Sequence, residues 1–278
     1  MRAIDVEHLG RARTICCWEL DGCIIDPGPQ CSEAKLLEGL AGERPRAIVL
    51  THIHLDHAAA TGSLVRRWPE VPVYVHERGA RHVVDPSRLI RSASQLYDDM
   101  DARWGEIVPV PEANVHPIAD GDLILGSLRV RSTPGHASHH VCFLHEPTGV
   151  AFVGDMVGVR IAPSQYTLMP TPPPDIDVEA WLDAIDAIEA WRPSALALTH
   201  FDRFDDVAEQ CERARGQLCR WAEAARGADP ATYLAAVEAE LARAVPDASL
   251  RAAYRQACPP AAQLGGLERY WGRREAAA

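Results

Sequence analysis

The stretch Thr51-His52-Ile53-His54-Leu55-Asp56-His57 decides how the rest of the chain is read. It follows Ala47-Ile48-Val49-Leu50, a short continuous apolar run of the kind that forms a strand buried on both faces. It precedes a segment of helical composition, Ala58 to Trp68, with Thr61, Leu64, Val65 and Trp68 on one stripe and Pro69 as the stop. At a strand-to-helix junction the chain folds back, so His52, His54, Asp56 and His57 can converge rather than radiate. Neutral imidazoles and a carboxylate suit a borderline divalent metal such as zinc.

The same context recurs three times downstream. His136 follows Thr133-Pro134-Gly135 after the strand-like run 128–132. Asp155 follows Gly154 after the run 150–153, and His200 follows Thr199 after Ala195-Leu196-Ala197-Leu198. Each is a ligand-type residue at the C-terminal end of a predicted short strand. With the histidine-rich stretch they make seven candidate ligands, enough for two metals.

The ordered set HIHLDH, TPGH, VGD and LTH resembles the metallo-β-lactamase-fold hydrolase superfamily over roughly residues 2–204. The resemblance implies an α/β fold, the four-layer αββα sandwich, with the site at one edge of two packed sheets. It implies that His52, His54 and His136 bind a first metal, that Asp56, His57 and His200 bind a second, and that Asp155 bridges both. It further implies a binuclear hydrolase in which the metal pair makes hydroxide available near neutral pH for attack on a carbonyl or phosphoryl centre. Asp56 then both ligates and orients the nucleophile. Zinc is the expected metal pair, and iron and manganese accept the same donors.

The rest of the chain fits this frame. Asp21-Gly22 reads as a hairpin between two short strands. Ser32 can cap a helix carrying Leu36, Leu37 and Leu40. Residues 158–176 hold Pro163, Pro170, Pro172, Pro173 and Pro174 and read as a stiff irregular loop. A helix capped by Asp177 follows. From Asp205 onward every apolar stripe has helical spacing, as in Val207, Cys211, Ala214, Leu218 and Trp221. The expectation is a catalytic domain over 1–204 and an all-helical C-terminal addition over 205–278.

The chain has 278 residues and a formal charge of −11, which disfavours a nucleic-acid coat. Lys35 is the only lysine, so no Schiff-base or phosphate-loop lysine is available elsewhere. No apolar run is long enough to span a membrane, and the N-terminus shows no export signal, so the expected location is the cytoplasm. The eight cysteines then read as reduced filler. His140 reads as a residue that could support a metal ligand. Tyr166 is weighed as an oxyanion donor but favoured as an ordinary loop residue. Arg160 is weighed as an anion ligand but favoured as a surface ion pair.

The expected substrate is a small ester-like compound: a thioester, lactone or related acyl species. The helical addition is similar to the arrangement in glyoxalase II-type thioesterases, although that subfamily's basic glutathione contacts are not matched. A β-lactamase, a phosphodiesterase or ribonuclease, and a mononuclear-iron sulfur dioxygenase are the alternatives on this fold. The expected partners are a small molecule and, through the tail, a second copy in a homodimer, with no nucleic acid and no membrane.

Overall fold

The computed structural model describes residues 1–277. Two six-stranded sheets carry the fold. The first contains β1 (Arg2–Asp5), β2 (Cys16–Leu20), β3 (Cys23–Ile25), β4 (Ala47–Val49), β5 (Val73–His76) and β6 (Val115–Ile118), paired in that order. The second contains β7 (Leu123–Ile124), β8 (Leu128–Ser132), β9 (Val141–His145), β10 (Val150–Gly154), β11 (Ala195–Leu198) and β12 (Arg203–Phe204), also in chain order. The strands were legible where β-branched and apolar residues run between turn signals. β1 and β12 were not anticipated: both are sheet edges, and the charged Arg2, Asp5 and Arg203 leave no apolar run to read.

The backbone forms two compact units, one of Met1–Ser132 with His139–Phe143, the other of Thr133–Ser138 with Leu144 onward. In the first unit, β3, β4, β5 and β6 run parallel, and their buried side chains build a core around Ile24, Ile48, Leu50, Leu64, Val73 and Val75. The helices of this unit are α1 (Glu33–Gly39), α2 (Leu55–Ala58), α3 (Thr61–Arg67), α4 (Glu77–Val84), α5 (Ser87–Ala93) and α6 (Met100–Trp104). The single helix expected over 58–68 is two short ones, α2 and α3, and the first begins three residues earlier, at Leu55.

In the second unit, β10 and β11 are parallel and β12 turns back on β11. The helices are α7 (Val178–Ala190), α8 (Val207–Ala224), α9 (Pro230–Ala244), α10 (Ala248–Ala257) and α11 (Pro260–Ala277). Asp177 caps α7 by accepting from the Ala180 amide, as the sequence suggests. The α/β class with two sheets and a helical C-terminal run is the one read from the sequence. No helix among the described residues is long and apolar enough to cross a membrane.

The proline-rich segment 158–176 has no helix or strand, only a single bridge between Val159 and Leu168. The helices that follow hold it in place. The Tyr254 hydroxyl donates to the Tyr166 carbonyl at 2.8 Å and accepts from the Ile161 amide at 3.0 Å. The Thr171 hydroxyl donates to the Gln263 carbonyl at 3.0 Å. Arg160 is a correction to the sequence reading: it is buried, not on the surface. Its guanidinium pairs with Asp206 at 2.7 Å, donates to Gln210 at 3.2 Å and lies over the Phe204 ring. Tyr166 faces the same helices, where burial and the neighbouring Glu240 push its phenol well above its ordinary pKa. Its ring packs edge-on against Tyr254 with centroids 5.8 Å apart, as suits an ordinary loop residue.

Two consequences can be measured. Gly135 has a φ of +137°, and a Cβ there would lie 2.4 Å from the Trp181 Cα. Gly135→Ala should therefore cost about 3 kcal/mol or more, read as a lowered denaturation midpoint. Burial works against the Asp206 charge, yet Arg160 and Arg213 outweigh it and hold this carboxyl below its ordinary pKa. Its stabilising contribution is complete above the unfolded value of about 4 and is lost as pH falls through the depressed folded value. Asp206→Asn should accordingly show a smaller drop in thermal midpoint than the parent between about pH 5 and pH 3.

Candidate metal centre

In the first unit, parallel register sets the arrangement. Ile25 pairs with Val49, so β3 and β4 end side by side and Asp26 leaves the sheet beside Leu50 and Thr51. The Asp26 amide completes this edge by donating to the Val49 carbonyl at 3.0 Å. The backbone is still extended at His54 and turns into α2 at Leu55, which holds the three histidines of the stretch close together. Ring centroids of His52 and His54 lie 4.5 Å apart, and those of His52 and His57 lie 4.0 Å apart. Ligand atoms approach within 4.8 Å in the pairs His52–His54, His52–His57 and Asp56–His57.

Asp26 orders this cluster, and the sequence reading did not single it out. Its carboxylate is fully buried. One oxygen accepts from the Thr51 amide at 2.8 Å; the other accepts from the Thr51 hydroxyl at 2.7 Å and from His57 Nδ1 at 2.8 Å. With the Thr51 proton committed to Asp26, the Thr51 oxygen accepts from His52 Nδ1 at 3.1 Å. One carboxylate thus fixes the tautomer of two imidazoles and leaves each Nε2 with its lone pair for a metal. A signal existed: Asp26 stands at the end of a strand-like run, as do the other candidate ligands. His140 is buried with its ring centroid 4.9 Å from that of His52, which fits a supporting place.

In the second unit, parallel register acts again. Gly154 pairs with Leu198, so Asp155 and Thr199-His200 leave β10 and β11 at the same edge. Asp155 sits between two histidines. One carboxylate oxygen lies 3.3 Å from His136 Nε2, the other 3.4 Å from His200 Nε2. His136 Nδ1 donates to the Pro170 carbonyl at 2.8 Å, which again turns Nε2 toward the carboxylate. Its ring packs edge-on against Trp181, the residue that crowds Gly135. All three side chains are almost fully buried. Nitrogen and carboxylate donors with fixed tautomers and no thiolate are the donor set of zinc, iron and manganese sites.

His139 stacks on His52 with centroids 6.3 Å apart, whereas three other histidines have work elsewhere. His8 stacks on Trp104 and reaches the Arg103 carbonyl at 2.8 Å. His145 meets the Thr148 hydroxyl at 2.8 Å. His76 accepts from the Arg78 amide at the start of α4, and burial lowers its pKa.

Residues 21–200 match the family model described as the metallo-beta-lactamase superfamily. The chain belongs to that superfamily. A probable metallo-hydrolase of Bacillus subtilis is 23% identical over 182 residues, 65% of this chain and 76% of that protein. A hydroxyacylglutathione hydrolase of Salmonella paratyphi A is 28% identical over 138 residues, 48% of this chain and 41% of that enzyme, so the chain spans less than half of its length. A crystal structure of a metallo-beta-lactamase family protein from Thermus thermophilus superposes with a TM-score of 0.61 at 21% identity, covering 94% of this chain and 89% of that one. That likeness concerns the fold, and it extends over the helical C-terminal run.

The Asp26 network makes a specific demand. Asn can still accept from the Thr51 amide but presents an N–H where His57 Nδ1 donates. Asp26→Asn should keep the fold by circular dichroism and lower metal affinity about 10–100-fold in a chelator competition. An unchanged affinity would show that Asp26 does not position the histidines.

Proposed function

We propose that the chain is a metal-dependent hydrolase of a small ester-like substrate, a thioester, lactone or related acyl compound. In this reading His52, His54 and His136 hold one divalent metal, Asp56, His57 and His200 hold a second, and Asp155 bridges them. The observation that carries it is Asp155: a buried carboxylate whose two oxygens each face the Nε2 of a different histidine has the disposition of a bridging ligand. Membership of the superfamily supports it, because all seven residues lie within the matched span. Zinc is the first choice of metal, with iron or manganese served by the same donors.

When bound, such a pair supplies hydroxide near neutral pH and polarises the substrate oxygen. The chain's own residues contribute orientation and a dry surrounding. Asp26 and the Pro170 carbonyl lock imidazole tautomers, so little reorganisation remains at the reacting centre. Asp56, less buried than His52 and His57, both ligates and aims the nucleophile in this reading. The likeness to a hydroxyacylglutathione hydrolase favours a thioester among the acyl substrates. The proposal includes a cytoplasmic setting, a small-molecule partner rather than nucleic acid or membrane, and a helical addition over 205–278 available for self-association.

Zinc-loaded protein assayed on thioesters, lactones, β-lactams and phosphodiesters should turn over an acyl substrate. Chelation should abolish the activity, and His54→Ala should lower it on the order of a hundredfold or more. One tightly held iron per chain, with oxygen consumed in the presence of a persulfide, would overturn the hydrolase reading.

A further inference from the structure

In the second unit a single backbone peptide joins a candidate metal ligand to the C-terminal helices. His136 Nδ1 donates to the carbonyl of Pro170 at 2.8 Å. The N–H of that same peptide, on Thr171, donates to the side-chain oxygen of Gln263 near the start of α11. The Pro170–Thr171 peptide is trans, so its C=O and N–H point in opposite directions within one rigid plane. Any tilt at the Thr171 N–H therefore swings the oxygen that faces His136.

Gln263 is itself held for this contact. Its Nε2 donates to the Pro259 carbonyl at 3.0 Å, which turns the carboxamide oxygen toward Thr171. Its backbone carbonyl accepts from the Thr171 hydroxyl at 3.0 Å. Thr171 and Gln263 are 2% and 4% exposed, so water is no ready substitute for these bonds. One turn farther along α11, Gly266 lets the helix lie directly on this backbone: a Cβ there would stand 2.0 Å from the Thr171 oxygen. The proline-rich segment also meets the His136 loop beyond Pro170. The Asp177 amide donates to the Gly135 carbonyl at 2.8 Å, and the Ser138 hydroxyl donates to Asp175 at 2.8 Å.

We propose that Gln263 is a positioning residue for His136, acting through the Pro170–Thr171 peptide. The three contacts form one aligned series: imidazole N–H to peptide carbonyl, peptide N–H to carboxamide oxygen, carboxamide N–H to the Pro259 carbonyl. Hydrogen bonds in such a series polarise one another. An acceptor on the Thr171 N–H thus strengthens the acceptor on His136 Nδ1, which makes Nε2 a better donor to a metal. This rests on His136 being a metal ligand, and it gives the start of α11 a task in the metal centre.

The test is zinc affinity of the full chain by chelator competition, together with the visible spectrum of the cobalt(II) form. Gln263→Met keeps the length of the side chain and removes the acceptor. It should weaken zinc about tenfold and shift the cobalt bands. Thr171→Val breaks the hydroxyl contact with the same residue but leaves the peptide gripped at both ends. It should lower the denaturation midpoint and leave zinc affinity at the parent value. Coupling is reciprocal, so in the unmutated chain zinc should slow exchange of the Thr171 amide proton about tenfold, which NMR reads even if Gln263→Met fails to fold. Parent affinity in Gln263→Met, an equal loss in Thr171→Val, or Thr171 exchange indifferent to zinc would overturn the proposal and leave the metal reading standing. An unmutated chain that takes up no zinc or cobalt would overturn both.

Discussion

Parallel strands in register end on the same side of their sheet, and this constraint places most of the candidate ligands. β3 and β4 deliver Asp26 and the histidine-rich stretch together in the first unit. β10 and β11 deliver Asp155 and His200 together in the second, after a one-residue bulge in β10 between Phe152 and Gly154. None of these residues has to reach across a sheet, and the backbone does the placing before the side chains do. The apolar runs that precede these residues are therefore part of the site's design, because slipping a strand by one residue would turn each side chain to the opposite face.

Orientation is a separate problem from placement. A histidine at the right point can still offer the wrong nitrogen unless something fixes its tautomer. The chain solves this with acceptors that have no proton to give: the Asp26 carboxylate for His57 and, through Thr51, for His52, and the Pro170 carbonyl for His136.

The strand-end logic made the fold class and the seven candidate ligands legible in the sequence, because apolar runs followed by His or Asp are local patterns. Asp26 was harder to see, since its role arises from the pairing of β3 with β4, a contact between positions 25 residues apart. The Pro170 carbonyl was invisible for a stronger reason: a backbone acceptor has no sequence signature. Arg160 was misplaced because an arginine's burial depends on a partner, Asp206, that stands 46 residues later. β1 and β12 escaped because they are edge strands in which Arg2, Asp5 and Arg203 stand where an apolar run would show.

The Pro170 contact ties His136 to chain made much later. Thr171, the next residue, is held by Gln263, 92 residues farther on. At about 5–20 residues per second, a ribosome takes roughly 5–18 seconds to cover that distance. Throughout that interval the segment that steadies His136 lacks its own support. The strands can pair and the core can close early, yet this edge of the molecule takes its final form only near the end of synthesis. The C-terminal helices thus set a clock for the histidine as well as a scaffold.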